Sequence, residues 1–169
     1  MIKVKKNEMN ALDWGKTTEE RNKNIEEYEK MNKYTELKDK HSRMVNNFPM
    51  AFAFSNKQFE EAKKKLGVTN NDELFSIPGG GMIRKTDSKA YSELFHTMNN
   101  ETEEAMKDDE YLYQGFLYEL GNHEYCYTYD FTDTLDCFAL TIDEVNSDER
   151  LKRILLKARK QYSIDSKNY

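Results

Sequence analysis

Residues 76–85 read S-I-P-G-G-G-M-I-R-K. Three consecutive glycines follow a proline and stand between Ile77 on one side and Met82 and Ile83 on the other. Proline presets the entry to a turn, and glycine reaches left-handed backbone angles without steric cost, so the stretch suits a hairpin or a tight crossing. Backbone N–H groups exposed beside Arg84 and Lys85 also suit a phosphate cradle. The spacing matches neither G-x-G-x-x-G nor G-x-x-x-x-G-K-[ST], and a structural turn is the expected role. This segment decides the fold class, because nearly everything around it reads as helix.

Upstream, residues 17–48 are highly charged and free of Gly and Pro, with T-T-E-E at the head as a capping start. Tyr34, Leu37, His41, Met44 and Phe48 follow a 3, 4, 3, 4 spacing, so one long helix is expected, its second half packed on the domain. Its first half is expected to project into solvent or to pair with a second chain. Pro49 ends that helix, and alternating Met50, Phe52 and Phe54 predict a short strand or buried extended segment. Ser55 with Gln58 forms a capping box for a helix through Phe59, Ala62 and Leu66, stopped by Gly67.

Downstream, Asp87 or Ser88 caps a helix whose inner face is Tyr91, Leu94, Phe95 and Met98. Leu112, Phe116 and Leu120 predict another helix over about 109–125, weakened by Gly115 and Gly121. The alternation of Tyr125, Tyr127 and Tyr129 also permits a strand. A short helix carrying Leu135, Phe138 and Ala139 follows. Thr141 and Glu144 then form a second capping box, and Leu151, Ile154, Leu155 and Ala158 mark a final basic helix ending near Tyr162. The expected fold is α+β and mainly α: an N-terminal helical arm over residues 1–47, then a compact helical domain with a small β element over 48–169.

The bulk composition bounds the function. A chain of 169 residues suits one ordinary domain with appendages, and its eleven Tyr and nine Phe give the core an aromatic character. No apolar run approaches the ~20 residues that span a bilayer, and the first residues lack a secretory signal, so a cytoplasmic protein with no membrane partner is expected. The two cysteines, Cys126 and Cys137, form neither a disulfide framework nor a C-x-x-C zinc pair, and are expected as free thiols. Residues 101–146 hold 13 carboxylates and one cation, Lys107, within a chain of net charge -5. That block repels nucleic acid and favours cationic partners.

Chemistry concentrates in residues 119–130, E-L-G-N-H-E-Y-C-Y-T-Y-D. On a helix Glu119 and His123 are i, i+4 neighbours that can share a metal ion or a proton. Asp130 and Asp133, with Asp136, would complete a hard-ligand site for magnesium or manganese, and His123 or Glu124 would serve as base in a metal-dependent phosphodiesterase. H-E-x-x-H and paired E-x-x-H signatures are absent, and the competing structural reading has Asn122 and His123 tying down a helix end beside a flanking glutamate. His41 and His96 read as core or boundary residues. The tyrosines set among carboxylates compose a surface for Lys- and Arg-rich proteins. Its candidate contact residues are Asp108, Asp109, Glu110, Tyr111, Tyr113, Glu124, Tyr127, Asp130 and Asp133.

The N-H-E-Y stretch (residues 122–125), F-L-Y-E-L before it, A-L-T-I-D-E-V after it and the P-G-G-G segment together resemble small uncharacterised proteins of phages and conjugative elements of low-GC Gram-positive bacteria. The resemblance spans about residues 48–162. It implies the genomic company of host-defence inhibitors, including anti-CRISPR proteins that occupy the nucleic-acid channels of a nuclease. It brings no catalytic residues. The leading expectation is therefore a non-enzymatic, cofactor-free inhibitor that binds a CRISPR effector nuclease or its guide complex through an acidic surface. The alternatives are the metal-dependent phosphodiesterase and a regulatory module that dimerises through residues 17–48.

Overall fold

The computed structural model describes residues 32–166, which gather into two compact units, one of residues 39–103 and the other of residues up to Lys38 and from Glu104 onward. Helix α1 (Lys33–Asn47) opens the described chain, and the Asn32 side chain caps it by accepting from the N–H groups of Tyr34 and Thr35, both at 3.1 Å. The expected helix before residue 32, most of the expected arm and its dimer seam lie outside the described residues.

The unit of residues 39–103 contains the β element. Strands β1 (Ala51–Phe52), β2 (Leu74–Ile77) and β3 (Gly81–Arg84) form an antiparallel sheet in the order β1-β3-β2, with Ala51 opposite Met82 and Ile77 opposite Gly81. The P-G-G-G stretch makes the β2–β3 turn, and Gly79 and Gly80 both adopt φ 74°, where a side chain would be strained. The hairpin reading therefore holds. Helix α2 (Asn56–Leu66) packs on the sheet, burying Ala62 and Leu66 with Ala51 and Met82. The Ser55 hydroxyl accepts from the Gln58 N–H at 3.3 Å, while the Gln58 side chain reaches the Phe54 N–H at 2.7 Å, one residue before the cap. Gly67 stops the helix at φ 69°. Helix α3 (Ser88–Ala105) completes the unit, with the Tyr91 ring edge-on to Phe48 and tilted against Phe95. His41 sits 3.0 Å from Glu101, which also takes Lys40 at 2.6 Å, and these two donors hold the Glu101 carboxyl below its ordinary range.

The second unit is wholly helical among its described residues. Helix α4 (Asp109–Asn122) and the terminal helix α8 (Glu149–Ser166) are its main packing pair. Leu112, Phe116 and Leu120 point inward at 0% exposure from α4, against Ile154, Leu155 and Ala158 of α8. Three short helices run between them: α5 (Tyr125–Thr128), α6 (Thr132–Asp136) and α7 (Ile142–Ser147).

One expected boundary is corrected, and of the two conformations open to residues 125–129 the helical one is found. Helix α4 ends at Asn122 instead of running to 125, because Glu124 takes the left-handed conformation at φ 52°. Residues 125–128 form a helical turn and not a strand; Tyr125 is buried while Tyr127 and Tyr129 are exposed, and no strand among the described residues pairs with their backbone.

The Thr141–Glu144 box is complete: the hydroxyl of Thr141 accepts from the Glu144 N–H at 3.3 Å, and the Glu144 carboxylate accepts from the Thr141 N–H at 2.7 Å. Thr141→Ala should lower stability by about 1 kcal/mol, measured by urea denaturation, and Thr141→Ser should restore most of it.

Candidate functional site

The Glu119 side chain is completely buried. It lies one position before Leu120 and three after Phe116, on the stripe of α4 that faces the core, so its position in the sequence drives it inward. A carboxylate withdrawn from water needs partners for both oxygens. Helix α1 supplies two from far along the chain. The Tyr34 hydroxyl donates to Oε1 at 2.5 Å, and the Lys38 ammonium reaches the same oxygen at 2.6 Å. On the other oxygen, Asn122 Nδ2 donates to Oε2 at 2.9 Å, and His123 Nε2 lies 3.4 Å away.

The electrostatic result is a carboxylate kept ionised inside the protein. Burial raises the Glu119 pKa, and the hydrogen bonds from Lys38, Tyr34 and Asn122 outweigh it, so the group ends below its ordinary 4.5. The Tyr34 hydroxyl moves the opposite way: burial, then the hydrogen bond to Glu119, raise its pKa well beyond the usual tyrosine range. Lys38 is anchored further by the face of the Tyr118 ring, 4.8 Å from its nitrogen.

Cys137, just after α6, closes the cluster from the far side. Its sulfur lies 3.4 Å from His123 Nε2, and the thiol donates to the Asp133 carbonyl at 3.4 Å. Partial withdrawal of the sulfur from water and the Glu119 charge push the thiol pKa up to about 11, although the residue keeps an exposed edge, and this makes it a poor nucleophile at neutral pH. A carboxylate oxygen of Glu119, an imidazole nitrogen of His123 and the Cys137 sulfur all lie within 4.8 Å of one another, the only such group of three or more ligand-capable side chains among the described residues.

A protein-family profile matches residues 33–161, more than half of the sequence. The chain belongs to the DUF7659 family. That family is described as one of unknown function. Comparison with curated proteins and with solved structures found no match. The matched span of this DUF7659 chain includes the whole Glu119 cluster and the acidic block from Glu101 to Glu144.

The residues expected to bind metal are only partly assembled. Glu119 and His123 come together, but the Asp130 carboxylate is engaged locally, accepting from the Thr132 N–H at 2.9 Å and the Thr132 hydroxyl at 2.7 Å. Asp133 contributes its backbone carbonyl to Cys137. A thiol thus stands where Asp130, Asp133 and Asp136 were expected. Cys137, Tyr34 and Lys38 were missed because no local spacing announces them; Tyr34 lies 85 residues from its acceptor.

The expected contact residues divide into two groups. Near the start of α4, Asp108 pairs with Lys33 and caps the helix through the Glu110 N–H at 2.9 Å. Asp109 takes Arg150 at 2.6 Å and Arg153 at 2.8 Å. The chain's own cations thereby answer these two charges. Glu110 accepts from Gln114 at 2.9 Å, and the ring of Tyr113 lies beneath the Lys157 ammonium at 4.1 Å. Tyr111, expected at the surface, is 4% exposed and belongs to the core, tilted against Tyr34, because it lies on the inward stripe of α4 and offers a partner no surface.

The remaining group, in residues 124–136, is outward. Tyr127 and Tyr129 are 79% and 72% exposed. Glu124, Asp130, Asp133 and Asp136 are exposed around them in sequence and make no ion pair with another described residue. Two left-handed residues, Glu124 at φ 52° and Tyr129 at φ 53°, bend the segment at either end of α5.

Proposed function

We propose that this protein is a non-enzymatic binding protein that docks on a cationic macromolecule through residues 124–136. The observation that carries this reading is the pair of outward tyrosines, Tyr127 and Tyr129, on a segment whose carboxylates pair with no cation among the described residues. Large aromatics left in water are available for contact, and tyrosine supplies much area for little loss of side-chain freedom. The surrounding negative potential speeds encounter with a basic partner and fixes its orientation. The acidic surface is thus narrower than the whole block, since Asp108 and Asp109 are occupied at home.

The sharpest form of the proposal makes the partner a CRISPR effector nuclease, whose guide and target channels are positively charged. It rests on the resemblance to mobile-element proteins.

The test is fluorescence anisotropy with a labelled arginine-rich peptide, followed by competition on a guide-loaded effector nuclease. Reversing Asp130, Asp133 and Asp136 to Lys should weaken peptide binding by at least about tenfold, with an unchanged circular dichroism spectrum. Reversing Asp72, Glu93 and Glu103, which lie elsewhere, should change it little. Equal loss in both triple variants would reduce the effect to net charge and reject the docking segment.

A further inference from the structure

We infer that Glu119, His123 and Cys137 form a site for a thiophilic divalent cation, zinc in the first place. The proposal stands on ligand type and on distances. Imidazole with a sulfur ligand selects zinc over magnesium or manganese, which prefer all-oxygen shells. Tetrahedral zinc with ordinary bond lengths sets its nitrogen and oxygen ligands about 3.3 Å apart and its nitrogen and sulfur about 3.6 Å apart. The corresponding separations here are 3.4 Å from His123 Nε2 to Glu119 Oε2 and 3.4 Å from His123 Nε2 to Cys137 Sγ.

The surrounding contacts fit as well. Tyr34 and Lys38 both hold Oε1, which leaves Oε2 turned toward His123 in the manner of a ligand carboxylate oriented by an outer shell of donors. Asn122, now on Oε2 at 2.9 Å, would share that oxygen with the metal. His123 is partly exposed and Cys137 is exposed, so the cation enters from the solvent side and a water molecule takes the fourth position. On binding, the sulfur–metal bond forms as the thiol proton leaves to solvent, and no electron is transferred. His123 and Cys137 bracket residues 124–136, so coordination would close that segment into a loop pinned at both ends.

Cobalt(II) titration of the intact protein tests the assignment. The wild type should develop a near-ultraviolet thiolate-to-cobalt charge-transfer band and the intense visible bands of a four-coordinate ion, both displaced by zinc. Cys137→Ser should abolish the charge-transfer band, His123→Ala should weaken cobalt binding by at least about tenfold, and Cys126→Ser should leave the spectrum intact. No charge-transfer band from the folded wild type at tenfold excess cobalt, or a band that survives Cys137→Ser, would overturn the proposal. Neither outcome depends on peptide binding, so this site and the docking segment stand or fall separately. Glu119 is left unaltered in these variants because it also supports the fold.

Discussion

Replacing Glu119 by alanine should cost about 3–5 kcal/mol of folding stability, a large part of the 5–15 kcal/mol that holds an ordinary domain. The substitution removes the only acceptor described for the Tyr34 hydroxyl, which is buried, and leaves Asn122 and Lys38 without theirs. A lone buried hydroxyl carries a penalty of roughly 1–3 kcal/mol by itself. Lys38 is half exposed and can turn to water, so its share of the loss is small. Glu119→Gln keeps the volume and one acceptor, and it should fall between the wild type and the alanine variant in urea denaturation at neutral pH.

The same carboxylate gives a pH signature. Its pKa is lower in the folded chain than in the unfolded one, so the unfolded state binds the proton more readily. The stabilisation is therefore fully present above the ordinary carboxylate value of 4.5 and is lost as the pH falls through the lower folded value. Thermal melts from pH 7 downward should show the wild type losing stability below that point. Glu119→Gln should show a shallower loss, and matching acid profiles for the two proteins would contradict the assignment.

Gly115→Val is expected to be comparably severe, at about 3 kcal/mol or more, and to disturb near-ultraviolet aromatic dichroism before it disturbs helix content. A Cβ at this position would meet the Phe138 ring at 2.6 Å and the Tyr34 ring at 2.8 Å, both inside the closest approach of real side chains. Gly115→Ala separates two effects. Alanine favours a helix by about 1 kcal/mol over glycine, whereas overpacking costs about 1–3 kcal/mol. Because the opposing atoms belong to rings already confined by Phe116 and Tyr111, the steric effect should dominate and the alanine variant should be the less stable protein.

These residues show how far the sequence could be read. Helix ends and turns were legible where the cause is local: Ser55 and Gly67 around α2, the Thr141–Glu144 box and the P-G-G-G turn each act within a few residues. Gly115 carries opposite meanings at the two levels. In the sequence it weakens a helix, while in the fold its missing side chain lets Phe138 and Tyr34 approach α4. The break at Glu124 was also hidden, because a glutamate with positive φ carries no compositional mark. The pairing of Glu119 with His123 followed from helical spacing, but the identity of the third group did not. Cys137 reaches His123 only after α5 and α6 have turned the chain back. The basic composition of the last helix allows it to pair with the acidic block of the same chain, but counting charges does not single out Asp109 as the residue that Arg150 and Arg153 reach.

The Tyr34–Glu119 bond spans 85 residues, and the whole of residues 39–103 lies between its ends in sequence. During synthesis, Tyr34 and Lys38 therefore leave the ribosome well before the carboxylate they hold. The intervening unit has its own sheet and its own apolar cluster, so it is the part that can take shape while the rest is still being translated. Closure of the helical unit then has to wait for nascent chain beyond Glu119 and carries the slow, long-range step of the folding reaction.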